Sequence, residues 1–343
     1  MSLPDSQTIL VTGANGYLAL HVIDQLVKNG YNVRGSVRSK KADEKVRSTF
    51  PNEYGGKVKT FFVKDLTNPE DFAGAFEDIT GVIHAASPAP SNVEDAVRDM
   101  LDPAIKGATS ILEAAKRYAS PSFKRVVHTS SFSANLDIAK GPRAGYVYKD
   151  SDWNPITLEE AAKLKDPISL YIASKALSER AVWDWVAKQN SCFDVVSLNP
   201  SNVFGPHLES IGTLDEVRST ARLLWQLIDA KEIPELEYAG CVDVRDTAAM
   251  LVAALEAPAA GGRRFLLAHH FDWQTAADLA REALPDEIKR RIPIGKPGSG
   301  RDEAEANMYQ IDGSRAADVL GVGYRPLLDT VRDTLVQLME AEK

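Results

Sequence analysis

A tyrosine and a lysine four residues apart, Tyr171 and Lys175, lie in SLYIASKALSERAVWDW, which has the pattern of a helix. At this spacing, two side chains share one helix face. A free tyrosine has a pKa near ~10 and is a poor acid–base catalyst at neutral pH, but a neighbouring ammonium group favours the phenolate. Such a pair could donate a proton to a carbonyl oxygen or remove one from an alcohol. Helices often contain this pair for structural reasons, so alone it is a weak indication.

A third polar group for this chemistry comes from two serines earlier in the chain. Ser130 and Ser131 follow an apolar run, KRVVHT, that is typical of a buried strand. Ligands of a doubly wound sheet bind beyond the carboxyl ends of its strands, so a serine there could orient a reacting oxygen. Together with a glycine-rich turn, the serine and the Tyr171–Lys175 pair form a much stronger indication.

That turn lies in ILVTGANGYLA, with glycines at positions 13 and 16 and alanine at 19. It follows a predicted strand and begins a predicted helix, which is the context of a dinucleotide-binding turn. Small residues let the backbone approach a pyrophosphate, and the helix N-terminus supplies free N–H groups. The alternative is a tight turn without a ligand. The residues expected to hold the cofactor here are Gly13, Asn15, Gly16, Tyr17 and Leu18.

The residues after the second predicted strand distinguish between the two nicotinamide cofactors. NAD is usually recognised by an acidic residue at this place, which binds the ribose 2′-hydroxyl. This chain has Arg38, Lys40 and Lys41 instead, and cations suit a 2′-phosphate. We therefore expect NADP, held by Arg38 and Lys41. A solvated basic loop is the alternative.

The ends of the third and fourth predicted strands are expected beside the adenosine half of the cofactor. Asp65, followed by Leu66, could accept a hydrogen bond from the adenine amino group, or could cap the helix that follows. Small residues after the fourth strand would let the cofactor approach closely. These are Ala85, Ala86 and Ser87.

Strand and helix patterns alternate through the first 200 residues, with at least six strand-like runs. This alternation predicts an α/β protein with a doubly wound parallel sheet, the Rossmann fold. After residue 205, helical patterns dominate, for example over 214–231. We expect an NADP-binding Rossmann domain of residues 1–205, to which 238–265 return, and a smaller, mainly helical substrate-binding lobe of residues 206–237 and 266–343.

Composition restricts the class of protein. The formal net charge of −8 argues against binding to nucleic acid or to an anionic membrane. Two cysteines, Cys192 and Cys241, fit a reducing compartment. MSLPDSQTILVTG lacks the pattern of a signal peptide, no apolar run reaches the ~20 residues of a membrane span, and the histidines lack metal-ligand spacing. We expect a soluble cytoplasmic protein without a bound metal.

With these motifs together, the chain resembles the extended short-chain dehydrogenases/reductases, in particular their dihydroflavonol-reductase-like branch. That branch includes fungal and yeast NADPH-dependent reductases of methylglyoxal, other aldehydes and ketones. The resemblance covers nearly the whole chain. It rests on VTGANGYLA, GSVRS, VIHAASP, HTSSFSA, YIASKALSERAVWDW, LNPSNVFGP and VDVRDTA.

The resemblance implies a catalytic set of Ser131, Tyr171 and Lys175. It favours Ser131 over Ser130, because the family's serine is usually the second of such a pair. It also implies binding of the 2′-phosphate by Arg38. The nicotinamide would contact Pro200 and Ser201, and on a looser alignment Ser219 would reach the cofactor.

The chain departs from the family pattern at two positions. Lys106 precedes Gly107 where many members have an asparagine that supports a proton relay. Ala42 stands where some members have a second lysine for the 2′-phosphate, with Lys41 as its neighbour. Either departure could rearrange the local site.

The sequence gives weaker indications of the residues that line the substrate pocket. Phe132 and Ser133 follow the catalytic serine, and Asn202 follows the nicotinamide segment. Asn135, Trp225 and the residues around Leu208 could line the mouth. All of these residues have an equal or better claim to ordinary packing.

Three functions remain open at this point. The first is an NADPH-dependent reductase of a small-molecule carbonyl compound, active as a monomer or homodimer. A nucleotide-sugar epimerase or dehydratase would share the fold and the Tyr171–Lys175 pair, but it needs a diphosphate site in the C-terminal lobe, where no clear basic cluster occurs. A non-catalytic NADP sensor would usually lack the tyrosine or the lysine.

Overall fold

The computed structural model describes residues 7–50, 56–88 and 92–342, and the structural statements below refer to these ranges. The first six residues, part of the stretch in which we expect no signal peptide, lie outside them. Within these ranges, no helix has the length and apolar character needed to cross a membrane.

The strands of the described chain vary from two to seven residues in length. In chain order they are β1 (Thr8–Thr12), β2 (Asn32–Val37), β3 (Val58–Phe62), β4 (Ile79–His84), β5 (Arg125–Thr129), β6 (Val147–Tyr148), β7 (Asp194–Pro200), β8 (Asn202–Phe204), β9 (Cys241–Asp243), β10 (Arg264–Leu267) and β11 (Gln310–Ile311). Seven of them form one sheet, in the order β10-β7-β5-β4-β1-β2-β3.

The α-helices of the described chain are α1 (Tyr17–Lys28), α2 (Lys40–Thr49), α3 (Asp102–Tyr118), α4 (Leu158–Ala161), α5 (Pro167–Lys188), α6 (Val244–Glu256), α7 (Trp273–Ala283), α8 (Asp286–Lys289), α9 (Gly300–Asn307), α10 (Ser314–Leu320) and α11 (Leu327–Glu342). Short 3-10 turns include Pro69–Phe76 and Phe132–Ala134. A π-helical turn, Ala96–Leu101, leads into α3.

The expected doubly wound parallel sheet is confirmed. β1 pairs in parallel with both β2 and β4, so the order of the chain reverses on either side of β1. Its central residues Leu10 and Val11 are fully buried, because helices cover both faces of a sheet of this type. In such sheets the ligand crevice lies at the carboxyl ends of the strands beside the reversal. This places the candidate site after β1, β2 and β4.

The chain divides into two compact units, residues 1–137, 151–199 and 248–265 on one side and residues 138–150, 200–247 and 266–343 on the other. Residues 138–150, 200–205 and 238–247 therefore lie in the second unit, whereas the sequence pattern places them in the Rossmann domain. Strand pairing accounts for this difference. β6 pairs with β11, and β8 pairs with β9, entirely within the second unit.

The helix expected over 214–231 is replaced by two 3-10 segments, Leu214–Glu216 and Thr220–Leu227. Hydroxyl side chains interrupt the segment, since serine and threonine compete for backbone hydrogen bonds. The Thr220 hydroxyl donates to the Val203 carbonyl rather than to a carbonyl of its own segment.

Candidate active site

The turn after β1 lies close against the end of β4. Gly13 has a φ of +65°, and a Cβ added there would lie 3.1 Å from the Cα of Ala86. The Thr12 hydroxyl accepts hydrogen bonds from the backbone N–H of Ala85 at 3.1 Å and of Ala86 at 3.0 Å. A glycine is required at this position because the backbone is left-handed and there is no room for a side chain.

The turn leaves the N-terminus of α1 open. Gly16, the N-cap residue, supplies no side-chain cap, and the first turn has no acidic residue. The free N–H groups and the helix dipole at such an end favour an anion. Around the start of this helix lie three more residues expected to hold the cofactor, Asn15, Tyr17 and Leu18. Each of them is less exposed than Gly16.

A glycine that the sequence analysis did not single out supports the same turn. A Cβ on Gly35 of β2 would lie 2.7 Å from the Cβ of Ala14, which is fully buried. The backbone N–H of Ala14 donates to the Ser36 carbonyl at 3.0 Å. The signal was available in GSVRS, but only the pairing of β2 with β1 shows that Ala14 packs there.

The expected 2′-phosphate residues follow β2 directly. Arg38 and Lys41 are exposed, and in the described ranges neither is paired with a carboxylate. Ser39 caps α2 by accepting a hydrogen bond from Ala42 N–H at 3.3 Å. Ala42 is buried, so the departure from the family pattern at this position places a methyl group in the core of the unit.

Asp65 and Leu66 both have structural contacts. Asp65 accepts hydrogen bonds from the backbone N–H of Thr67 at 2.9 Å and from its hydroxyl at 2.8 Å. The following 3-10 turn is capped by Asn68, whose side chain accepts from the Glu70 N–H, so the capping role considered for Asp65 is wrong. Leu66 packs against Gly107 of α3, where a Cβ would collide with its side chain. The neighbouring Lys106 is exposed and pairs with Asp102 of the same helix at 3.1 Å. Lys106, the other residue that departs from the family pattern, therefore forms an ion pair at the surface.

Helix α5 carries the tyrosine and the lysine. The Asp166 carboxylate caps the helix by accepting from Ser169 N–H at 2.7 Å. Tyr171 is 44% exposed, and the Lys175 Nζ lies 5.8 Å from the centroid of its ring. The same Nζ donates to the Ser87 hydroxyl at 3.0 Å. Lys175 thus links Tyr171 to the end of β4.

The two serines after β5 have different environments. Ser130 is buried, and its hydroxyl donates to the carboxylate of Glu179 at 2.6 Å. Ser131 is half-buried, and its hydroxyl donates to the Ser133 hydroxyl at 3.1 Å and accepts from the Ser133 N–H at 3.2 Å. The 3-10 turn that follows Ser131 packs against α5. Ser131 is therefore the more accessible of the two serines, and Ser130 is the one held by a buried carboxylate.

The remaining predicted pocket residues of this unit are mostly enclosed. Phe132 is 5% exposed and Asn135 is 1% exposed. The Asn135 amide donates to the Asp152 carbonyl at 2.9 Å. Of these residues and Ser133, only Ser133 is partly exposed. Asn135 thus has the packing role that the sequence analysis left open.

The expected residues of the second unit have polar contacts within that unit. The hydroxyl of Ser201 and the amide of Asn202 donate to the Gly240 carbonyl at 2.9 Å and 3.2 Å. The Ser219 hydroxyl lies 2.9 Å from the Nε2 atom of His207. Pro200 ends β7, and Trp225 packs against the core of this unit.

His84 ends β4, and His128 is the last residue but one of the neighbouring strand β5. Their rings stack, with centroids 5.7 Å apart. Burial lowers the pKa of His128 to about 3, and the Lys175 charge adds to this effect. Burial, followed by the charges of His128 and Lys175, also lowers the pKa of His84. His84 Nδ1 lies 2.9 Å from the Thr12 hydroxyl, so this buried ring has a structural contact with the end of β1.

We expect stability to fall as the pH drops below about 6.5, the ordinary histidine pKa. Between that value and the lowered folded-state pKa, the unfolded chain binds protons that the folded chain does not. Each histidine then lowers the free energy of unfolding by about 1 kcal/mol per pH unit, and its full contribution is present above this window. Urea unfolding at pH 7, 6 and 5 measures the slope. His128→Phe should reduce it, and an unchanged slope would contradict the assignment.

Within the described ranges, no three His, Cys, Asp or Glu side chains are grouped so that they could hold a metal ion. The cysteines are unpaired, with Cys192 exposed and Cys241 buried.

Comparisons with known proteins agree with this architecture. Residues 9–268 match the NAD dependent epimerase/dehydratase family. The chain is 34% identical to the NADPH-dependent methylglyoxal reductase GRE2 of Saccharomyces cerevisiae, over 98% of this chain and 99% of the yeast protein. It is 32% identical to the ketoreductase azaE of Aspergillus niger, over 98% of each chain.

Solved structures give the same result. The yeast methylglyoxal/isovaleraldehyde reductase Gre2, crystallised with NADPH, superposes with a TM-score of 0.88 at 32% identity and covers 97% of this chain and 98% of its own. Gre2 of Candida albicans with NADPH has a TM-score of 0.86 at 29% identity, over 98% of this chain and 100% of its own. From the family match and these full-length relatives, the chain belongs to the NAD-dependent epimerase/dehydratase family of extended short-chain dehydrogenases/reductases.

Proposed function

We propose that the protein is an NADPH-dependent carbonyl reductase that converts an aldehyde or ketone to an alcohol. The observation that carries this proposal is the position of Lys175. Its ammonium group lies 5.8 Å from the centroid of the Tyr171 ring and donates to the Ser87 hydroxyl, which follows β4, at 3.0 Å. The relatives named as NADPH-dependent methylglyoxal reductases support the same cofactor and reaction.

The residues at the carboxyl ends of β1 and β2 fit a phosphorylated dinucleotide. The left-handed Gly13 keeps the backbone of the turn free of a side chain, as close approach to a pyrophosphate requires, and the uncapped start of α1 favours its charge. Arg38 and Lys41 offer two unpaired cations for a 2′-phosphate. When bound, NADPH supplies the hydride.

The chain itself supplies the proton and the orientation of the carbonyl group. As a C–H bond forms at the carbonyl carbon and the C=O double bond becomes single, the Tyr171 phenol donates its proton to the oxygen. Lys175 stabilises the phenolate that remains. The Ser131 hydroxyl donates a hydrogen bond to the same oxygen. Tyr171 is 44% exposed, so water can return the proton.

The substrate class in this proposal is a small-molecule carbonyl compound, such as an α-dicarbonyl or a branched aldehyde. Phe132 and Ser133 are the proposed pocket residues. We also propose a cytoplasmic enzyme, since the two unpaired cysteines fit a reducing compartment. Size-exclusion chromatography with light scattering distinguishes a monomer from a homodimer.

The first experiment follows NADPH oxidation at 340 nm with methylglyoxal, isovaleraldehyde and aryl ketones. We expect turnover with NADPH and a decrease in kcat of about 10²-fold in Ser131→Ala, because the carbonyl oxygen loses a hydrogen-bond donor. The exposed Ser48 donates only to the Lys45 carbonyl, so Ser48→Ala is the matched control. If the protein binds NADPH but reduces none of these carbonyl compounds, the proposed reductase activity is wrong, and an epimerase or a sensor is favoured.

A further inference from the structure

A buried carboxylate lies behind the proposed catalytic residues. Glu179 of α5 is 0% exposed, and its oxygens accept hydrogen bonds from three uncharged side chains. Ser130 Oγ donates at 2.6 Å, Asn199 Nδ2 at 2.6 Å and Trp183 Nε1 at 3.2 Å. A buried charge is strongly unfavourable unless it is paired and hydrogen-bonded, so a neutralising partner is required here.

Arg264, at the start of β10, is that partner. Its Nε donates to Glu179 at 2.7 Å, and the arginine side chain is only 9% exposed. The guanidinium also donates to the Asp152 carbonyl at 2.8 Å and lies 3.5 Å from the centroid of the Trp153 ring. With contacts on several sides, the guanidinium has one well-defined position, and it holds the Glu179 carboxylate there.

The Glu179 carboxylate connects α5, which carries Tyr171, to β7 and to the serines that follow β5. Glu179 follows Lys175 by four residues and Tyr171 by eight, so the three share one face of α5. Its partner Asn199, near the end of β7, also donates to the carbonyl oxygen of Ser131 at 3.2 Å. Its partner Ser130 precedes Ser131 directly. Ser130 and Asn199, which are both next to the Ser131 backbone, therefore both donate to the Glu179 carboxylate.

We propose that Glu179 is a positioning residue that holds Ser131 in register with Tyr171 and Lys175 for carbonyl reduction. This inference rests on the proposed function. The group must be a carboxylate, because Trp183 and Arg264 can only donate, and both donate to the same oxygen. An amide in its place would direct an N–H group at these donors and leave the Arg264 charge buried without its partner.

The test compares Glu179→Gln with the wild-type enzyme in NADPH-dependent reduction of methylglyoxal. We expect kcat to fall by about 10–100-fold, while the KM for NADPH changes by less than about twofold, since only the orientation of the carbonyl group is lost. Glu179→Asp keeps the charge and should recover part of kcat. An unchanged kcat in Glu179→Gln overturns the proposal.

A double-mutant cycle with Ser131→Ala distinguishes positioning from a general loss of stability. If Glu179 acts through Ser131, then Glu179→Gln should lower kcat by less than about threefold in the Ser131→Ala background. If kcat of the double variant falls by the product of the two single decreases, the residues act independently and the proposal is overturned. If Glu179→Gln does not fold, Ser130→Ala removes one donor to the carboxylate and should lower kcat by about fivefold. No decrease in that variant also overturns it.

The matched control is another arginine–carboxylate pair, on the strand β5 that leads to the serines and the strand β7 that carries Asn199. Arg125 begins β5 and pairs at 2.5 Å with Asp194, which begins β7, at the opposite ends of the strands from the serines. Asp194→Asn should lower stability with kcat unchanged. An inactive wild-type enzyme would instead refute the proposed function, so failures of the two proposals are distinguishable.

Discussion

Replacement of Tyr171 by phenylalanine is expected to lower kcat for NADPH-dependent carbonyl reduction by about 10³-fold, because the reacting oxygen loses its proton donor. NADPH affinity should change by less than about threefold, since Lys175 keeps its hydrogen bond to Ser87. Single-turnover absorbance at 340 nm measures the first effect, and quenching of protein fluorescence by NADPH measures the second.

The matched control for this prediction is Tyr118→Phe. Tyr118 ends α3, and its hydroxyl donates to the Glu70 carboxylate at the protein surface. Loss of that hydroxyl should leave kcat unchanged. A Tyr171→Phe enzyme with near wild-type kcat would mean that the proton comes from another group, and the assignment of the catalytic tyrosine would then be wrong.

The second large effect is expected at the 2′-phosphate. Arg38→Gln should lower kcat/KM for NADPH by about 10–100-fold, since a charge-assisted hydrogen bond to a phosphate contributes about 1.5–3 kcal/mol. The value for NADH, which lacks the 2′-phosphate, should change by less than about twofold. Initial rates with each cofactor at a fixed, saturating carbonyl concentration give the ratio directly.

Arg47→Gln is the control for this change. Arg47 lies on α2, which begins two residues after Arg38, and it pairs with Asp43 of the same helix at 2.8 Å. Its removal should leave the preference between the cofactors unaltered. Equal losses with NADPH and NADH in Arg38→Gln would show that the arginine supports the fold of the loop and does not bind the phosphate. Lys41→Gln then tests the neighbouring cation in the same assay.

Local sequence was sufficient for the elements that hold the cofactor. The apolar run of β1, the glycines of the turn and the helix α1 are contiguous, and each follows from short-range preferences. The spacing of Tyr171 and Lys175 is also local, because the helical period alone places both on one face of α5. These features were therefore predictable without knowledge of any contact between distant residues.

Several other features depend on contacts between segments far apart in the chain. Ser130 and Ser131 are adjacent, and only the burial of Ser130 against Glu179 separates their roles in the structure. Gly35 is required because β2 brings it against Ala14. The extent of the two units follows from the pairing of β6 with β11, which lie more than 150 residues apart.

By itself, the sequence determined the doubly wound sheet, the turn and cations expected for NADP, and the Tyr171–Lys175 pair, because hydrophobic periodicity and turn chemistry act over a few residues. Only the tertiary structure decided which serine is buried against a carboxylate and how Ser130, Asn199 and Arg264 surround the charge of Glu179. The physical reason is that burial and ion pairing depend on which strands lie side by side. Which strands lie side by side depends on the fold of the whole chain.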